Sequence, residues 1–260
     1  MPPPAARAAR DLGLELLKAE SVNRPDAVEA IRAAGPELGL VCAFGQLIKD
    51  PLLSELSLLN VHPSLLPRWR GAAPIERAIM AGDDETGVTI MRVGSGLDSG
   101  PIALQEPVPI EPDDDYGALS ARLAELGGEL AVRALDRQAS GALEFSEQDD
   151  SAATYAKKIE PPERRLDPGR PATELERTVR ALNPHIGTYL ELEGGGRLAV
   201  RSAVAEEGKP ARGSLAASGG ALRLGCADGV LRLQVVQPAG GRAMSTDAYL
   251  RGHGPPQLAR

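Results

Sequence analysis

The chain has 260 residues, 42% of them hydrophobic and 25% charged, with a formal net charge of −7. That length holds one large domain or two modest ones with proper cores, and the negative balance excludes a protein that coats nucleic acid without regard to sequence. No apolar run approaches the ~18–20 residues of a membrane helix, and the start, "MPPPAARAARDLGLELL", lacks the apolar stretch of a secretory signal, so the expected location is the cytoplasm.

In chain order, residues 2–12 and 25–34 predict short helices, the second introduced by Asn23-Arg24-Pro25-Asp26. "LGLVCAF" (38–44) is a nearly continuous apolar run and predicts a buried strand of a parallel sheet. "LSLLNVH" (56–62) predicts a second strand, stopped by Pro63. "APIERAIMAGD" (73–83) predicts a helix with Pro74 in its first turn and Gly82 at its end. "TGVTIMRV" (86–93) predicts a third strand leading into "GSGLDSG", and 101–110 is extended. Residues 113–141 predict a long helix with acids at its N-terminus, where the helix dipole favours them.

Strands alternating with helices imply an α/β domain with a largely parallel sheet, spanning 1–141. Residues 142–170 are polar and proline-containing and predict a linker. A third part, 171–260, opens with a helix (171–183). Short strands follow at 187–193, 197–204, 214–217, 221–226 and 229–236, the pattern of a small five-stranded, OB-like barrel. Charge divides along the same line. Residues 1–162 carry 15 Lys/Arg and 26 Asp/Glu, a net of −11, and residues 163–260 carry 14 and 10, a net of +4. Such asymmetry fits a second part that faces a polyanion, and equally fits drift in composition.

In open α/β sheets, sites form at the carboxyl ends of strands. Asn60 and His62 end the second strand. Their spacing of two puts both side chains on one face. Asp98 follows the third strand among Gly94, Gly96 and Gly100, which permit an irregular loop able to turn a carboxylate toward them. An amide that donates to an oxyanion, an imidazole that handles protons and a carboxylate that orients it form an acyl-transfer set. Each residue also has an ordinary structural role, as strand-end histidine, turn asparagine or loop aspartate, and the spacing leaves both readings open. No metal is expected. Cys42 and Cys226 fit no ligand spacing, and His185 and His253 lie in the other part.

The string "NVHPSLLPRWRGAAPIERAIMAGDDETGVTIM", with "GLDSGPI" after it, resembles the enzymes that take a formyl group from 10-formyltetrahydrofolate. "RWRGAAPI", the barrel-like C-terminal part and "VQPAGGRAMS" narrow the resemblance to the methionyl-tRNA formyltransferase family. The resemblance implies a Rossmann-like formyltransferase domain and a C-terminal OB-like domain that holds tRNA. It implies Asn60, His62 and Asp98 as catalytic, and a tetrahydrofolate site formed by Ser64, Leu65, Leu66 and Pro67 with Phe44 and Gly45 beside it. The implied partners are 10-formyltetrahydrofolate as donor and initiator methionyl-tRNA as acceptor, with no membrane, no metal and a monomeric enzyme. Arg180, Arg197, Arg201, Arg212 and Arg242 are candidates for phosphate contact. Other readings are formyl transfer to a different amine, or a truncated folate- or tRNA-binding remnant.

The remnant reading arises because family members begin with a strand, a "FxGTPxFA"-like turn, a second strand and a basic loop. "MPPPAARAARDLGLEL" is similar to the segment after these, so on the order of 50–60 residues are absent at ~30 per β–α–β unit. The expectation is a start at an internal methionine of a longer frame. Two smaller departures are His185-Ile186, where many relatives carry an aromatic and a proline, and the lack of a Trp after Asp167.

Overall fold

The structure, a computed structural model, describes residues 3–209 and 211–259. The first domain runs α1 (Pro4–Asp11), α2 (Pro25–Ala33), β1 (Gly39–Cys42), the single-turn α3 (Leu52–Glu55), β2 (Leu58–His62), β3 (Arg70–Gly71), α4 (Pro74–Ala81), β4 (Glu85–Arg92), β5 (Ile102–Pro109) and α5 (Tyr116–Ala139). Pro74 supplies the first turn of α4, and Gly82 ends it in the left-handed region at φ 76°. Asp115 caps α5 by accepting the Ala118 N–H at 2.9 Å, which satisfies one of the orphan donors of the first turn.

The main sheet has the order β1-β2-β4-β5. Expected to be largely parallel, it is mixed among the described residues. β1 and β2 run parallel, while β4 is antiparallel to both β2 and β5. The physical reason lies in what a continuous apolar run signals. Six consecutive residues of β4, Thr86 to Met91, are buried, because both faces of this strand are covered. Coverage of two faces gives an unbroken apolar run in either strand direction. One face is covered by α5, whose Leu119, Leu123, Leu130 and Ala134 join Leu59, Val88 and Ile90 in one core. Gly127 allows that approach, since a Cβ there would lie 3.0 Å from Val61 Cγ1. The other face receives the turn after β2. β1 forms one edge of the sheet, and Leu40 on it is 45% exposed.

Segment 142–170 packs back onto the first domain. Ser146 exchanges two backbone hydrogen bonds with Ile102, at 2.8 and 2.9 Å. β6 (Tyr155–Ala156) lies parallel to β3. Its signals were invisible to pattern reading because the contacts are made by backbone and polar side chains rather than by an apolar face.

The second domain consists of α6 (Ala172–Leu182), β7 (Thr188–Glu191), β8 (Arg197–Glu206), β9 (Leu215–Ser218), β10 (Ala221–Gly225), β11 (Val230–Pro238), β12 (Met244–Ser245) and α7 (Thr246–His253). The strands form an antiparallel sheet of order β7-β8-β11-β10-β9, with β12 on β11. The ladder is open: β7 and β9 end the path and are not paired with each other among the described residues. Alternate residues point inward, among them Leu198, Val200, Leu222, Leu224, Leu231 and Leu233, and pack with Leu175 and Val179 of α6 and Tyr249 of α7. Polar ties join the domains. Arg177 donates to the Ala81 carbonyl at 2.9 Å, Arg180 to the Asp114 carbonyl at 2.7 Å, and His185 meets Glu76 at 3.0 Å.

Candidate active site

β2 presents Asn60 and His62 on the face opposite α5, as strand alternation requires with Val61 against Gly127. Asp98 reaches the same face. Because β4 runs antiparallel to β2, its carboxyl end lies beside Leu59 rather than His62. The loop after Arg92 therefore folds back across the sheet to bring the carboxylate to the pair. Asp98 turns at φ 46°, and Gly100 passes so close to the strand that a Cβ would lie 1.9 Å from the Arg92 carbonyl oxygen.

The structure thus brings Asn60, His62 and Asp98 together. Asn60 Nδ2 donates to Asp98 Oδ1 at 3.4 Å, a long bond. Asp98 Oδ2 accepts the Gly71 N–H at 2.9 Å and stands 3.8 Å from His62 Nδ1, beyond hydrogen-bond reach. The opposite ring nitrogen, Nε2, lies 3.0 Å from the Trp69 carbonyl oxygen. A carbonyl only accepts, so Nε2 carries a proton and the neutral ring has its lone pair on Nδ1. His62 is 4% exposed. Burial pushes its imidazole below the ordinary histidine range, with the Asp98 carboxylate and the Trp69 carbonyl pulling the other way. Burial thus favours the neutral ring.

The residues after His62 form a buried turn against β4. Ser64 is fully buried, and its Oγ donates to the Arg68 carbonyl at 2.6 Å. Thr89 Oγ1 donates to the Ser64 carbonyl at 2.6 Å and accepts the Leu66 N–H at 3.2 Å. Gln105 reaches both Thr89 Oγ1 and the Leu66 carbonyl, at 2.7 and 2.9 Å. The Pro67 carbonyl accepts the Thr154 N–H at 3.2 Å. Leu65 instead lines an outer cleft of about 520 Å³ with Arg68, Trp69 and residues 82–86. Asn60, His62 and Asp98 do not line that cleft. Phe44 and Gly45 are exposed just beyond β1, whose parallel pairing with β2 sets both carboxyl ends at one edge of the sheet.

Sequence reasoning missed a second ring of residues. Trp69 adopts φ 62°, which aims its carbonyl at His62. Thr154 Oγ1 accepts the Trp69 N–H at 2.9 Å, and Asp83 accepts from the indole at 2.8 Å. Gln148 holds the Asp98 loop. The Thr154, Asp83 and Gln148 contacts carry no local signal, since each spans at least 14 residues. Among the described residues there is no group of three or more His, Cys, Asp or Glu placed to hold a metal.

Both domains match the formyl transferase class of enzymes. Residues 3–135 match the family described as "Formyl transferase" and residues 158–254 its C-terminal domain, and the chain belongs to this family. Within it the chain groups with proteins named methionyl-tRNA formyltransferase. The one from Halorhodospira halophila is 43% identical over 256 residues, covering 96% of this chain and 82% of the relative. The one from a Methylobacterium species is 42% identical with the same coverage. HypX from Aquifex aeolicus, solved in complex with tetrahydrofolic acid, shares the fold at a TM-score of 0.68 and 22% identity, over 87% of this chain and 41% of that one.

Proposed function

We propose that the chain transfers the formyl group of 10-formyltetrahydrofolate to the α-amine of methionine on initiator tRNA, acting as a monomer in the cytoplasm. The observation that carries the reading is the meeting of Asn60, His62 and Asp98 on one sheet face, in a chain 43% identical to a methionyl-tRNA formyltransferase.

The residues divide the work. An α-amine titrates near ~7.7–8, so a useful fraction is neutral at physiological pH. Its nitrogen attacks the formyl carbon, a C–N bond forms, and negative charge moves to the formyl oxygen. Asn60 has a second amide N–H beside the one turned to Asp98, and this donates to the oxyanion. His62 Nδ1 takes the proton from the attacking amine. The resulting imidazolium faces two acceptors, the Trp69 carbonyl and the Asp98 carboxylate. His62 then gives that proton to N10 of the folate as the C–N10 bond breaks, releasing tetrahydrofolate and the formylated amine.

Phe44 and Gly45, both exposed at this edge, form the folate side. Ser64 to Pro67 act through the shape of the turn, since Ser64 and Leu66 are closed off from solvent. The tRNA is held by the positively charged second part, through the exposed Arg197, Arg212 and Arg242. Arg180 and Arg201 are engaged within the protein, by Glu176 and Asp114 and by Gln237 respectively. The test is a formylation assay with 10-formyltetrahydrofolate and charged initiator tRNA. Formylmethionyl-tRNA is the expected product. Transfer only to a small-molecule or nucleotide-sugar amine, or no transfer at all, overturns the reading. Size-exclusion chromatography checks the monomer, and tRNA affinity that holds from low to moderate salt would exclude the arginine surface.

A further inference from the structure

Gln148 lies in the polar segment after α5, fifty residues from Asp98. Its amide makes four hydrogen bonds. Nε2 donates to the Asp98 carbonyl at 3.0 Å and to the Gly100 carbonyl at 2.7 Å. Oε1 accepts from Arg70 Nε at 3.0 Å and Nη2 at 2.8 Å. The orientation of the amide is fixed by chemistry: a guanidinium only donates, so Oε1 must face it and the NH₂ must face the carbonyls. Arg70 is 3% exposed, and Asp150 holds it from the other side at 2.7 Å. The two carbonyls gripped by Gln148 bracket the turn in which Asp98 adopts φ 46°, a region costly for a residue with a side chain.

We infer that Gln148 is a positioning residue of the active site, clamping the Asp98–Gly100 turn so that the carboxylate stays aimed at Asn60, His62 and the Gly71 N–H. Gln148 touches none of the three side chains, so it acts through the loop. Arg70 locks the clamp in its working orientation. The same segment holds the other side of His62, where Thr154 accepts the Trp69 N–H. The catalytic consequence rests on the function proposed above; the clamp itself rests on geometry alone.

Two variants separate the clamp from simple packing. Gln148→Met keeps the length and removes all four bonds. Gln148→Glu keeps the acceptor for Arg70 and replaces the donors with a second acceptor, which repels both carbonyls. Both are expected to lower kcat by about 10²-fold, the effect of misplacing a catalytic group by roughly 1 Å, with KM for 10-formyltetrahydrofolate unchanged. In an Asp98→Gly background, where glycine keeps the positive φ and the carboxylate is gone, Gln148→Met is expected to cause no further loss. NMR of the Gly71 amide reads the clamp without any substrate. Its hydrogen-bonded shift and exchange protection are expected to disappear in both variants. Wild-type activity in Gln148→Glu, multiplying losses in the double variant, or an unchanged Gly71 amide in either variant overturns the inference. A responsive Gly71 amide in a protein that fails to formylate methionyl-tRNA upholds the clamp and overturns the proposed function instead.

Discussion

The two halves of the site are built in opposite ways. Asn60 and His62 sit two residues apart on a strand that is hydrogen-bonded on both sides, and the sheet fixes their common face. Asp98 sits on a loop, in a conformation its own side chain disfavours, and is held by groups from Gly71 and Gln148. The strand half draws its precision from register, so a loss there removes a functional group and leaves the frame. The loop half draws its precision from distant polar contacts, so the frame itself can be released.

Variants that break the strand half have the largest expected effects. His62→Ala removes the proposed proton carrier and is expected to cost about 10²–10⁴ in kcat. Asn60→Ala removes the proposed oxyanion donor and is expected to cost about 10²–10³. In both, steady-state kinetics should show folate affinity nearly intact; near-normal turnover in either would remove that residue from the chemistry. The loop half is broken from a distance by Gly100→Ala. Its added methyl has no room against the Arg92 carbonyl, so the turn must move. We expect a loss of about 10²-fold in kcat with a normal far-ultraviolet spectrum, and unchanged turnover would show that the loop tolerates displacement.

A third measurement sharpens the comparison through pH. Burial holds His62 below the ordinary histidine range of about 6.5 in the folded state. Below that pH the unfolded chain binds a proton that folded His62 refuses, so stability is complete above it and falls as pH drops toward the lowered folded value. Urea denaturation at stepped pH should show this slope in the wild type and a flatter one in His62→Gln. An identical slope in the two proteins would mean that the ring is not held neutral by burial. The smallest effect belongs to a site remote from both halves. Asp115→Ala removes the cap of α5 and is expected to cost about 1 kcal/mol in denaturation, with kcat unchanged; a drop in kcat would couple the helix start to the chemistry.

How much of this was legible follows the same division. The sequence shows strands and helices where apolar periodicity, Pro74, Gly82 and the acids before Tyr116 mark them, and the strand half of the site came with them. The direction of β4 was not legible, because an apolar run reports burial on two faces and carries no arrow. Nor was the seating of residues 146–156, where the joining contacts come from a glutamine amide, a threonine hydroxyl and a two-residue backbone pairing. β12 and α7 escaped for a related reason: two paired residues and one short helix offer too little periodicity to stand out. Asp98 was found among its glycines, but the groups that hold it lie 27 residues before it, at Gly71, and fifty after it, at Gln148.

The pairing of β6 with β3 also bears on how the chain can be divided. A break after Ala139, where the last helix of the first domain ends, would separate Asn60, His62 and Asp98 from the segment carrying Gln148 and Thr154. A break beyond Ala156 would keep them together. Two fragments meeting at the first point would have to recover activity by association, and the rate of that recovery would report how firmly the joining segment grips the loop.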